Sequence, residues 1–201
     1  MGVLKKIITS TAFLDLINFV ISFLICRWFY MNYIYFYAIG IIGFSNNGID
    51  FWRPLIAILI LTIILFTLFR TIYTKNLSLK IIILLYILYF SVLFFMLFLK
   101  SPGIQGYNIN IMSYLYEIFT VDSLVPLFNI LMFIPLGILF KFDYKNIALF
   151  ILFIFLCEII QYVLKVGIFD IGDILLNTVG FLVGSILHDT KLFNYIVKFI
   201  H

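Results

Sequence analysis

Between Ile7 and Leu187 long apolar runs alternate with short polar breaks, and run length decides the element. A helix rises about 1.5 Å per residue, so about 20 apolar residues cross a hydrocarbon layer about 30 Å thick. Runs of that order lie at Ile7–Ile25, Pro54–Ile72, Leu79–Leu99, Leu124–Phe140, Ile147–Val166 and Ile174–Leu187. The pattern predicts an all-α fold, a polytopic membrane helical bundle of about six transmembrane helices, with a range of about five to seven. The range arises between Arg27 and Arg53, where WFYMNYIYFYAIGIIGFSNNGIDFW is rich in aromatic residues. Trp and Tyr concentrate at membrane–water interfaces, so this stretch reads as an interfacial or re-entrant segment, and a further span through residues 28–48 is the alternative.

Composition turns that pattern into a statement about solvent. With 65% hydrophobic, 20% aromatic and 11% charged residues, the chain has too little polar surface for a water-soluble domain. The net charge of +4 suits loops beside anionic lipid, where each basic residue contributes about 1 kcal/mol, and points to no nucleic acid. Cys26 and Cys157 fall in or beside apolar runs, which argues against a disulfide framework or a cysteine metal site. The start MGVLKK and the apolar run after it resemble a signal peptide, but no small-x-small site precedes Arg27 and Trp28, so the run is expected to remain as an anchor.

Basic residues set the orientation. Lys5, Lys6, Arg70, Lys75, Lys80, Lys141, Lys145, Lys191 and Lys198 fall on one side of the expected spans, against Arg27, Arg53, Lys100 and Lys165 on the other. Cytoplasmic loops are enriched in Lys and Arg, so both termini are expected in the cytoplasm. Asp50, Glu117, Asp122, Asp170 and Asp173 then face outward. The tail KLFNYIVKFIH after Thr190 is expected to lie along the inner interface as an amphipathic segment.

Polar groups inside apolar runs carry the candidate chemistry. A central Asp costs roughly 2.5–3.5 kcal/mol on insertion scales, so such residues face a partner, a cavity or a site. Asn129 lies about one and a half turns into the fourth span, and Glu158 and Gln161 lie in the last two or so turns of the fifth. Asp170 and Asp173 stand at the mouth of the sixth span, with Asn177 one turn deeper. The spacings i, i+3 for Glu158 and Gln161, and i, i+4 for Asp173 and Asn177, put each pair on one helical face. Pro135 is expected to kink the fourth span, and Gly180 and Gly184 form a GxxxG pair suited to close helix packing. In the first span Asp15 and Asn18 are a second polar pair, expected to bond to another helix.

The segments NILMFIPLG (Asn129 to Gly137), EIIQ (Glu158 to Gln161) and DIGDILLNTVG (Asp170 to Gly180) resemble, in order and spacing, the signature of the VanZ-like family of bacterial membrane proteins. The resemblance runs from about Leu85 to His188. It divides the chain into residues 1–75, an N-terminal extension with two spans and the aromatic segment, and residues 76–201, a VanZ-like transmembrane domain. It implies a multi-pass protein of the bacterial plasma membrane that, in some members, lowers susceptibility to teicoplanin-type lipoglycopeptides, with no established catalysis. Two positions depart from the family pattern: Gly167 stands where many members carry an arginine, and NIMSY at Asn110 to Tyr114 replaces an Asn-Leu-x-Pro-Phe segment.

On this reading Asn129, Glu158, Gln161, Asp170, Asp173 and Asn177 form a polar cluster for a membrane lipid or a lipoglycopeptide amphiphile. Pro135, Gly137, Gly180 and Gly184 are structural, and no cofactor, metal or catalytic residue is assigned. Plain interhelical hydrogen bonding explains Asn129, Glu158 and Gln161 equally in kind, and helix capping explains Asp170 and Asp173. The alternative function is a membrane-embedded enzyme acting on a lipid-linked envelope substrate through carboxylate acid–base or metal-assisted chemistry. Its supporting residues are few: His188 and His201 are expected at the opposite surface, and Ser123 and Ser185 have no adjacent base.

Overall fold

The computed structural model describes residues 11–42, 52–99, 101–112, 116 and 124–200. It contains helices α1 (Thr11–Phe29), α2 (Tyr35–Ile42), α3 (Trp52–Thr74), α4 (Leu79–Phe98), α5 (Leu124–Gly137), α6 (Tyr144–Val163), α7 (Ile171–His188) and α8 (Lys191–Val197). Two short strands, β1 (Ile104–Asn108) and β2 (Val166–Asp170), interrupt the helices. Five helical stretches are long and apolar enough to cross a membrane: Thr11–Ile34, Trp52–Thr74, Leu79–Phe98, Tyr144–Val163 and Ile171–His188. The chain is therefore an all-α helical membrane protein.

Two expected boundaries move. The first helix runs past Ile25, through a π-helical turn at Tyr30–Ile34, into α2. The aromatic segment is thus helical as far as Ile42, because nothing before Gly40 in that run opposes a helix; residues 43–51 lie outside the described ones. The fourth expected span is only 14 residues long, about 21 Å, and stops at Gly137 rather than Phe140. There the chain tightens into turns, with Leu139 N donating to Leu136 O (3.1 Å) and Phe140 N to Gly137 O (3.0 Å).

The chain divides into two compact units, residues 1–85 with 199–201, and residues 86–198. In the first, α1 lies against α3 through polar groups that lipid cannot satisfy. Asn18 Nδ2 donates to Phe66 O at 3.0 Å, and Ser22 Oγ to Asn18 Oδ1 at 3.1 Å. Asp15 accepts from the Tyr73 hydroxyl and from Arg70 Nε at 3.1 Å. The bonds to another helix expected of Asp15 and Asn18 are therefore present. Thr62 and Thr71 are buried and turn their hydroxyls onto their own helix, to Ile58 O (2.7 Å) and Thr67 O (2.8 Å), so no donor is left facing hydrocarbon.

The second unit is built on three phenylalanines, one from each of α5, α6 and α7. The Phe150 and Phe181 rings stack at 4.2 Å with planes 6° apart, and Phe133 meets Phe150 edge-on at 5.4 Å. Leu93 and Leu97 of α4 close the same core with Ile154 and Cys157. Helix α4 is also tied to α5 by hydroxyls: Tyr89 Oη donates to Met132 O (2.8 Å) and Tyr86 Oη to Pro135 O (3.3 Å).

Helices α5 and α7 run side by side in the same direction at backbone contact. A Cβ built on Gly180 would sit 2.1 Å from Ile130 O, and one on Gly184 would sit 2.2 Å from Ile134 O and 2.8 Å from Gly137 Cα. Only glycine permits that approach, which replaces the absent hydrophobic driving force between helices in lipid by van der Waals contact. At the far end of the seam His188 Nδ1 lies 2.7 Å from Ile138 O.

Candidate functional site

At the other end of the seam the polar residues collect. After α6 the chain turns through Lys165, whose φ of 56° is left-handed, and runs into β2. This strand pairs in parallel with β1, with Asn108 opposite Asp170. The pairing fixes Asp170 at the top of α7, where both its oxygens are engaged. Oδ1 caps the helix by accepting from Gly172 N (2.7 Å), and Oδ2 accepts from Asn108 Nδ2 (3.0 Å).

The deeper groups are held by three helices. Asn129 Nδ2 of α5 donates to Asp173 Oδ1 of α7 at 2.6 Å. Glu158 of α6, only 1% exposed, accepts from Asp170 N through Oε2 at 3.2 Å. The heights of Glu158 and Asp173 follow from the core. Phe150 and Phe181 stack face to face, and eight residues back toward the loop on either helix, a rise of about 12 Å, lead to Glu158 and to Asp173. The two carboxylates therefore share one level, near enough for their charges to interact.

Asn177 lies one turn further in and is 3% exposed. Gly180 and Gly184, on one side of it, face α5, and Phe181, on the other, faces α6, so Asn177 sits where the three helices meet. Its Oδ1 is buried without a hydrogen-bond partner, alone in this among the described residues.

Of the residues singled out from the sequence, the structure gathers Asn129, Glu158, Asp170, Asp173 and Asn177 at one end of α5, α6 and α7. Gln161 is buried one turn beyond Glu158, its Oε1 lying over Gly167, where an added Cβ would be 2.6 Å away. Gly137, Gly180 and Gly184 form the seam below the cluster, while Pro135 lies within α5 with its carbonyl turned to Tyr86. Asn108, on a strand of a distant loop, was not among the candidates. No periodicity marks it, and only the strand pairing brings it to Asp170. Glu117, Asp122 and Ser123 lie outside the described residues.

Groups for other chemistry are engaged elsewhere. Ser185 is buried and donates to Phe181 O (3.0 Å), and His188 is at the opposite end of the bundle. Among the described residues no three His, Cys, Asp or Glu side chains are placed to hold a metal ion together.

Fold and site define a polytopic helical membrane protein with a buried carboxylate and carboxamide cluster at one end of a three-helix core. The chain belongs to the VanZ/LLP1 family, whose profile matches residues 55–193. Protein VanZ of Enterococcus faecium is similar to it, 36% identical over an alignment of 66 residues, with 30% of this chain and 41% of that protein covered. The match thus spans well under two thirds of the relative's own length. No solved structure matches.

Proposed function

We propose that the polar cluster binds an amphiphile, a membrane lipid or the acyl-bearing glycopeptide teicoplanin, at the outer leaflet of a bacterial plasma membrane, and that the protein thereby lowers susceptibility to lipoglycopeptides without catalysing a reaction. The carrying observation is Glu158: a carboxyl group in a membrane-spanning helix, 1% exposed, with one backbone N–H as its partner and no ion pair among the described residues. A buried ionisable group so poorly compensated is costly, and sites within spans are where such groups persist.

Two further features support the reading. Asn129, Asp170 and Asp173 around Glu158 are half-buried, which leaves an approach from the end of the bundle. Lys141, Lys145 and Lys191 flank the opposite end, against Lys165 at the cluster; the excess of cations away from the site supports placing the site outward and both termini inward.

The test is resistance in a susceptible Gram-positive host expressing the chain. Wild type should raise tolerance to teicoplanin and give little protection against vancomycin, which lacks the acyl tail, and Glu158→Ala should remove the teicoplanin effect. Equal protection against both drugs, or full protection by a folded Glu158→Ala protein, would overturn the proposal.

A further inference from the structure

The cluster is rich in acceptors and poor in donors. Glu158, Asp170 and Asp173 bring three carboxyl groups to one end of α5, α6 and α7, and the carboxamide N–H groups of Asn108 and Asn129 are already given to Asp170 and Asp173. Two acceptor groups are left short. Glu158 has a single bond, to Asp170 N, and Asn177 Oδ1 has none.

Asn177 is directed toward that level. Helical side chains lean toward the N-terminus of their helix, and the N-terminus of α7 is at the cluster, so the carboxamide of Asn177 leans back toward Asp173 and Glu158. An orphaned buried acceptor is destabilising, and a buried carboxylate without a cation more so. An ammonium group answers both deficits at once, carrying positive charge for Glu158 and an N–H donor for Asn177. A hydroxyl supplies a donor without charge; a quaternary ammonium supplies charge without a donor.

We propose that this site receives the primary ammonium group of an amphiphile, with Glu158 balancing its charge and Asn177 Oδ1 accepting one of its N–H groups. The inference rests on reading the cluster as an amphiphile site and names the chemistry of that amphiphile. The half-buried layer of Asn129, Asp170 and Asp173 is the entrance, and Asn177 the floor.

The test uses the full chain purified in detergent and melted with each of three probes that share one tail: dodecylamine, dodecanol and dodecyltrimethylammonium. At ten times its dissociation constant a ligand adds about 1.4 kcal/mol of stability, RT ln 11, so dodecylamine should raise the melting temperature by about 3–6 °C, and the other two should not. Glu158→Gln, which keeps the shape and loses the charge, should lose the shift.

Asn177→Leu removes the orphaned acceptor. Without ligand it should melt at or above wild type, and it should bind dodecylamine at least tenfold more weakly. In nanodiscs of phosphatidylcholine with or without phosphatidylethanolamine, stabilisation by the latter assigns the ammonium to a lipid headgroup. Its absence, with the dodecylamine shift retained, assigns it to another amphiphile.

Equal shifts from all three probes, no shift from dodecylamine, or an undiminished shift in Asn177→Leu would each overturn the inference. Failure here with teicoplanin protection still dependent on Glu158 refutes the ammonium and leaves the proposed function standing. Ammonium binding without any effect on tolerance refutes the proposed function instead.

Discussion

Gly180→Ala tests whether the α5–α7 seam is what assembles the site. The new Cβ would stand 2.1 Å from Ile130 O and 2.9 Å from Ile130 C, both backbone atoms, so no rotamer change relieves the clash. Favourable contact begins at about 3.5 Å, and α7 must therefore withdraw from α5 by roughly 1.4 Å. A gap of about 0.5–1 Å already forfeits a quarter to a half of each contact's attraction, and overpacking of this kind costs about 1–3 kcal/mol.

The same withdrawal stretches the 2.6 Å bond from Asn129 to Asp173, worth about 0.6 kcal/mol between membrane helices. Against this, Ala gains about 0.8–1 kcal/mol of helix propensity over Gly. The net loss is on the order of 0.6–2.8 kcal/mol, a fall in melting temperature of about 1–11 °C. Thermal unfolding of the purified protein measures it. Gly106→Ala is the control, because its Cβ would meet Ile168 Cγ1 at 3.5 Å, ordinary contact, and stability should change by about 0.5 kcal/mol at most. If Gly180→Ala melts with or above Gly106→Ala and wild type, the seam is not in backbone contact and the argument fails.

Asp173→Asn keeps an oxygen to accept from Asn129 and removes the charge; the folded variant should retain teicoplanin tolerance if Asp173 only positions Asn129, and abolished tolerance with intact folding would revive the acid–base reading. Asn18→Ala should destabilise the α1–α3 pair by about 0.6–1.7 kcal/mol through loss of the bond to Phe66 O, and an unchanged denaturation midpoint would show that bond to be unimportant. For topology, single cysteines at Asn108 and at Lys75, in a background lacking Cys26 and Cys157, should differ on intact cells, with an impermeant reagent reaching Asn108 alone; labelling only at Lys75 would reverse the orientation.

The sequence by itself determined the solvent, the fold class and the identity of the candidate residues. Run length against membrane thickness is a local quantity, so α3 and α4 begin and end within a few residues of expectation. Polar residues stand out in an apolar run without any knowledge of their partners, which is why Glu158, Asp173 and Asn177 were legible. Where local signals compete, the sequence is less decisive: aromatic side chains suit an interface and a helix equally, and here the backbone is helical as far as Ile42.

Tertiary structure decided the partners. That Asp170 is spent on Gly172 N and Asn108 depends on two five-residue strands separated by more than fifty residues, pairs too short to carry a periodic signal. That Asn129 meets Asp173, while Gln161 turns to Gly167, depends on the rotation of each helix about its axis. The Phe150–Phe181 stack and the glycine seam fix that rotation. Spacing along one helix states which residues share a face, but which face meets which neighbour is settled only when the core side chains interlock.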